Sequence, residues 1–271
     1  MDFPSNSPGA ADTGQSSEQI SLFARSRVPD LSIIVPCLNE EENIAVILSK
    51  LRDVLSGSDI SAEVIVVDDQ SDDKTFERAK AFAASVKGIM QIEVIRRPLR
   101  RRGYGAAVRY GVANSIGKYC IFVSADAVDP INLIPLFFRR MEAGFDLVQC
   151  SRYLQQGDDV TIPFKYKFYQ FFYRFGVRTF LGENVRDSTY AFKMFKRADA
   201  LGVGLTQNRF SISPEITFKV MLNQGRIEHV PAGQGIRTAG TSKFFFRKEA
   251  FGYSYVLLRA LLHRTGLILW F

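Results

Sequence analysis

The sequence predicts an α/β protein with a doubly wound, mostly parallel sheet flanked by helices. Three observations lead there. Leu31-Ser-Ile-Ile-Val-Pro36 and Glu63-Val-Ile-Val-Val-Asp68-Asp69 are short apolar runs one helix-length apart, the pattern of parallel strands joined by a crossover helix. Strand-like and helix-like stretches go on alternating to about residue 150, and such a succession builds a sheet covered on both faces. The apolar runs end in polar or acidic residues, at the edge where open α/β sheets bind ligands.

The elements follow in order. Residues 1–30 are rich in Ser, Gly, Ala and Asp without apolar period and are expected to be a disordered leader. After the first strand, Pro36-Cys-Leu-Asn39-Glu40-Glu41-Glu42-Asn43 reads as a turn and helix start, with Asn39 as cap and the glutamates against the helix dipole. Asp68-Asp69-Gln-Ser71-Asp72-Asp73 is a second acidic turn feeding a helix over 74–86. A strand at 92–95, a helix over 106–115 and a strand Tyr119-Cys-Ile-Phe-Val123 follow, the last entering Ser124-Ala-Asp126-Ala-Val-Asp129-Pro130, a third acidic cluster. A helix to about Gly144 and a strand Leu147-Val-Gln-Cys150 precede an unusually aromatic segment.

Composition narrows the function. A chain of 271 residues, 46% hydrophobic, can bury one large core. A net charge of +7 suits an anionic partner or membrane surface. Cys37, Cys120 and Cys150 show no Cys-x-x-Cys spacing, so neither a disulfide framework nor a zinc site is indicated and a reducing cytosol fits. No apolar run reaches the roughly 20 residues of a spanning helix. Gly103-Tyr-Gly105 lacks the third glycine of a dinucleotide fingerprint and follows arginines instead of an apolar strand.

Seven short motifs carry a resemblance: Val35-Pro36-x-x-Asn39-Glu40, Val67-Asp68-Asp69-x-Ser71-x-Asp73, Arg102-Gly103-x-Gly105-x-Ala107, the strand entering Ala125-Asp126, Ser151-Arg152-Tyr153, Arg186-Asp187-Ser188-Thr189-x-x-Phe192 and Arg237-x-x-Gly240-x-Ser242-Lys243. In this order, from Leu31 to about Arg247, the chain resembles family 2 inverting glycosyltransferases of the GT-A fold. The most similar group is dolichol-phosphate mannose synthase and its relatives, which glycosylate polyprenyl phosphates.

The resemblance implies roles. Pro36, Leu38, Glu40, Asp68 and Asp69, with Gly103, Gly105, Ala125 and Asp126, would hold a nucleotide-sugar donor of the GDP-mannose or UDP-glucose type. Carboxylates suit base N–H groups and ribose hydroxyls. Family members usually carry Asp-x-Asp after the fourth strand, binding Mg²⁺ or Mn²⁺ against the diphosphate. Here the first position is Ser124, Asp126 is retained, and Val128 stands where a polar ligand often follows. Asp129 is a candidate replacement ligand, and the arginines from Arg96 to Arg109 are candidates for neutralising the diphosphate or for a solvated basic face. On the acceptor side Arg152, Arg178, Arg237, Ser242 and Lys243 would place a polyprenyl phosphate, because guanidinium forks match phosphate. Asp126 and Asp187 are the expected catalytic carboxylates, Asp187 as an orienting acid, a base or a mere cap.

Two basic-aromatic stripes point independently to lipid. Phe168, Phe171, Phe172 and Phe175 fall at i, i+3, i+4, i+7 beside Lys165, Lys167, Arg174 and Arg178. Phe244, Phe245, Phe246, Phe251, Tyr255, Leu258 and Leu262 repeat the theme with Arg247, Lys248, Arg259 and Arg264. Core packing and a dimer interface are the alternatives for each. The expected layout is a leader over 1–30, a catalytic domain over 31–235 and a membrane-interface segment over 236–271. The expected protein is a peripheral enzyme on the cytoplasmic membrane face, with no nucleic-acid partner and with oligomeric state open. A nucleotide-sugar or lipid-phosphate binding protein impaired in catalysis is the alternative that Ser124 and Val128 motivate.

Overall fold

The computed structural model describes residues 28–98, 101–152, 164–182, 185–231 and 246–271. Most of the leader and the Arg237, Ser242 and Lys243 cluster lie outside the described residues. Strands β1 (Leu31–Cys37), β2 (Ala62–Asp68), β3 (Gln91–Arg96) and β4 (Tyr119–Phe122) alternate with helices α1 (Ile44–Ser56), α2 (Thr75–Ser85) and α3 (Tyr104–Asn114). Then come α4 (Ile134–Glu142), β5 (Leu147–Ser151), α5 (Phe164–Leu181), β6 (Lys193–Lys196), α6 (Arg197–Gly202), α7 (Ile212–Leu222), β7 (Ile227–Pro231) and α8 (Phe246–Arg264).

The described strands form one seven-stranded sheet in the order β3-β2-β1-β4-β6-β5-β7. β1 pairs in parallel with β2 and β4, and β2 with β3, so that Cys37 sits opposite Asp68 and Asp68 opposite Arg96. The chain moves outward from β1 to β3 and returns to the other side of β1 as β4, which puts a switch point at the carboxyl ends of β1 and β4. The predicted sheet is there, with an addition. β6 runs antiparallel between β4 and β5; its sequence, Lys193-Met-Phe-Lys196, hides a buried strand behind a lysine.

β1 is buried along its whole length because both faces are covered. One face packs on Ile44, Ile47, Leu48 and Leu51 of α1, together with Phe137 and Met141 of α4. On the other, α3 lies close enough that a Cβ on Gly111 would come 2.5 Å from the Ile34 side chain. A third cluster joins Tyr173, Val177 and Leu181 of α5 to Phe218 of α7 and Tyr253, Val256 and Ala260 of α8. The C-terminal helix therefore shares a core with α5 and α7.

Candidate active site

The first two turns at the carboxyl edge are stapled together. Asn39 has the left-handed φ of 52°; its N–H donates to Ser71 Oγ (2.9 Å) and its Oδ1 accepts from Asp72 N (2.8 Å). It does not cap α1, contrary to expectation. Asn43 occupies that position without a side-chain cap bond, and the first turn of α1 holds no acid. Glu40 is instead buried, taking Asn43 Nδ2 at 2.8 Å, while Glu41 accepts from Lys74 N.

Asp68 and Asp69 end up paired with the basic run. Asp68 is fully buried and accepts from Arg96 Nε at 2.8 Å and from Ser71 N at 3.2 Å. Asp69 accepts from Arg97 Nε (2.7 Å) and Gly103 N (2.6 Å). Arg102 meets Asp72 at 2.6 Å. Three arginines of the run thus belong to carboxylates of the β2 turn, which sequence reasoning had left without partners. Gly103 and Gly105 form the N-terminal end of α3 and press against the backbone of residues 207–209.

The loop after β4 brings Asp126 to the same edge, since β4 lies beside β1. Ala125 is buried and Asp126 half-exposed. Asp129 is buried; its Oδ2 accepts from Ser124 N (2.6 Å) and its Oδ1 from Tyr190 OH (3.1 Å). Burial, with Asp126 adding to it, pushes its carboxyl up to about 6. A carboxyl raised in the folded state contributes stability that is complete below its unfolded value, near 4, and is lost as pH rises through about 6. Carbon-13 NMR should show one aspartate carboxyl titrating near 6 that disappears in Asp129→Asn; a value below 4 would mean that the group is solvated.

Each Asp129 oxygen already accepts one hydrogen bond from the fold. No group of three or more His, Cys, Asp or Glu suited to a metal occurs among the described residues. Asp126 offers one hard carboxylate, which fits Mg²⁺ or Mn²⁺ as a partner to water and substrate phosphates.

Beside this loop, Arg152 and Asp187 form a two-pronged pair: Nε to Oδ2 at 2.8 Å and Nη2 to Oδ1 at 3.1 Å. Nη2 also donates to Thr189 Oγ1 at 3.0 Å. Burial alone would raise the Asp187 carboxyl, but the charge and hydrogen bonds of Arg152 outweigh it and hold the group below its ordinary range. That suits an orienting counter-ion and makes a poor base. Tyr190 joins the two halves, since its hydroxyl meets Asp129 while its ring lies 5.0 Å beneath the Arg152 guanidinium. Arg178 lies exposed on the last turn of α5.

Sequence reasoning missed Tyr190 and Lys193. Lys193 is fully buried, and its Nζ donates to Ser188 O (3.0 Å), Ser213 O (2.9 Å) and Thr217 Oγ1 (2.8 Å). Burial pushes its ammonium down to about 7. The signal available was the alternation Phe192-Lys-Met-Phe-Lys196, which places Lys193 and Phe195 on one side of a strand.

A dolichol-phosphate mannosyltransferase of Pyrococcus furiosus is 29% identical over 215 residues, covering 79% of this chain and 58% of that protein. A bactoprenol glucosyl transferase of Shigella phage SfV is 27% identical over 217 residues, 79% of this chain and 66% of that one. The chain spans less than two thirds of the length of either relative. A crystal structure of glucosyl-3-phosphoglycerate synthase from Mycobacterium tuberculosis, in complex with Mn²⁺, UDP and glucosyl-3-phosphoglycerate, superposes with a TM-score of 0.60 at 21% identity, covering 95% of this chain and 87% of that one. This likeness identifies the fold as GT-A. The model of the family described as glycosyl transferase family 2 matches residues 32–202, from β1 to the end of α6 and through every carboxylate discussed above, and the chain belongs to that family.

Proposed function

We propose that this protein is an inverting glycosyltransferase that moves a hexose from a nucleotide sugar, of the GDP-mannose or UDP-glucose kind, to a polyprenyl phosphate at the cytoplasmic membrane face. The observation that supports the reading is the Tyr190 bridge, which links Asp129, at the end of the Asp126 loop, to the Arg152 guanidinium. On this reading Pro36, Leu38, Glu40, Asp68 and Asp69 hold the base and ribose, with Gly103, Gly105 and Ala125 bordering the diphosphate. A divalent cation, when bound, supplies positive charge for the leaving diphosphate, and Asp126 would hold it. Arg152, kept in place by Asp187, places the acceptor phosphate together with Arg178, Arg237, Ser242 and Lys243. A phosphate oxygen is already ionised near neutral pH and attacks C1 without a general base. The nucleoside diphosphate leaves from the opposite face, so the new sugar–phosphate bond forms with inversion.

Two exposed faces support a lipid acceptor. Phe168, Phe171, Phe172 and Phe175 on α5 are 57%, 65%, 52% and 60% exposed, so they are not core residues. Phe251, Tyr255 and Leu258 on α8 are exposed as well. Tyr169 of α5 donates to Ala250 O of α8 at 3.0 Å, so the two helices present their aromatics as neighbours. No helix among the described residues is long and apolar enough to cross a membrane, and an interfacial seat fits both the stripes and the net charge of +7. We assign that seat to α5 and the segment over 236–271. The double variant Phe171→Ser/Phe172→Ser is expected to lose about tenfold or more in partition onto anionic vesicles with an unchanged melting temperature. Unchanged partition would remove these residues from the interface.

The deciding assay incubates the protein with a panel of nucleotide sugars and a short polyprenyl phosphate, with and without EDTA. Glycosylated lipid phosphate is the expected product. A second reading, a binding protein impaired in catalysis, is favoured by one observation: Ser124 stands at the first carboxylate position, and Asp129, the acid that accepts from its N–H, already accepts from Tyr190 as well. Nucleotide-sugar binding without transfer to any acceptor would establish it.

A further inference from the structure

Tyr104 is the first residue of α3, between Gly103 and Gly105. Its ring stacks on Phe210, with centroids 4.6 Å apart and planes 13° from parallel, so packing alone accounts for the ring. The hydroxyl is different: it is shut off from solvent and has no hydrogen-bond partner. Buried polar groups are nearly always paired, and phenylalanine would serve better at a position whose only task was packing. Burial first, then the nearby charges of Asp129 and Asp126, raise the phenol well above its ordinary value, so it stays a proton donor. Asp129 has both oxygens occupied by other donors.

We infer that the Tyr104 hydroxyl donates a hydrogen bond to the sugar-diphosphate part of the donor, and so helps to select the transferred group. This rests on the nucleotide-sugar reading above. If the β1 and β2 turns take the base and ribose, the part of the donor that reaches the Asp126 loop carries only phosphate oxygens and sugar hydroxyls. Either accepts from a phenol.

The test compares wild type and Tyr104→Phe, as the full chain, by calorimetric titration with UMP, UDP and UDP-glucose and with GMP, GDP and GDP-mannose. The variant is expected to bind the monophosphate as wild type does and to lose about tenfold further along the series. A loss beginning at the diphosphate identifies a phosphate oxygen as the partner, and a loss confined to the nucleotide sugar identifies the hexose. The melting temperature without ligand should be unchanged or higher, because the hydroxyl has no partner to lose. Equal affinities throughout, an equal loss that includes the monophosphate, or a lowered melting temperature would each overturn the inference. If wild type binds none of the six nucleotides, the nucleotide-sugar reading itself fails and takes this inference with it.

Discussion

Arg152→Ala is expected to lower folding stability by about 3–5 kcal/mol, because it strips the counter-charge from a buried carboxylate. The Asp187 side chain is 0% exposed and that of Arg152 is 20% exposed, so water can replace little of what the guanidinium provides. Chemical denaturation at neutral pH should show the midpoint falling with no change in slope. Adding Asp187→Asn should restore much of the loss, since the orphaned charge goes with it. The pH dependence has a fixed sign. A carboxyl held below its ordinary range in the folded state contributes stability that is complete above the unfolded value near 4 and is lost as pH falls further. The acid limb of the stability profile should therefore be shallower in the double variant. A single variant as stable as wild type would mean that the pair does not hold the site. The same substitution should raise the KM for polyprenyl phosphate more than that for the nucleotide sugar.

Gly105→Ala should cost about 1–3 kcal/mol or more through overpacking. A Cβ there would come 2.5 Å from Gln207 O, 2.6 Å from Arg209 O and 2.9 Å from Asn208 C. All three are backbone atoms, and the segment that carries them has little freedom to retreat. Ala106 N donates to Asn208 O at 3.2 Å. Gln207 N is held by Glu215 Oε2 at 2.8 Å, and Arg209 Nε by Glu249 of α8 at 2.8 Å. A melting temperature several degrees lower is the expected calorimetric result. Gly202→Ala, at the end of α6 with nothing within 4 Å of the new Cβ, is the control; it should be neutral or stabilising by up to about 1 kcal/mol. Equal melting temperatures for the two variants would show that the 207–209 backbone yields.

Local pattern made the β1 to β4 half of the molecule legible. Parallel strands buried on both faces read as continuous apolar runs, helices such as α1 carry their core residues at helical spacing, and acids gather where strands end. The edge that holds Asp68, Asp69 and Asp126 follows from those features, and the family motifs added the roles proposed for them. The second half was less legible. β6 is four residues long and begins with a buried lysine, and α7 is buried on every side, Glu215 and Lys219 included, so neither shows the polar–apolar periodicity that marks an amphipathic element.

The sequence by itself determined the sheet class, the edge at which the carboxylates collect, the Ser124 departure and the aromatic spacing on α5. Only the tertiary structure decided which charge answers which: Arg96, Arg97 and Arg102 to Asp68, Asp69 and Asp72, and Arg152 to Asp187. It also decided that Asp129 accepts from Ser124 N and Tyr190 and that Phe168, Phe171, Phe172 and Phe175 of α5 face outward. The physical reason is range. Strand and helix patterning is set by near neighbours along the chain, whereas the state of a buried carboxylate depends on groups that folding brings from about thirty or more residues away, and burial strengthens their electrostatic interaction.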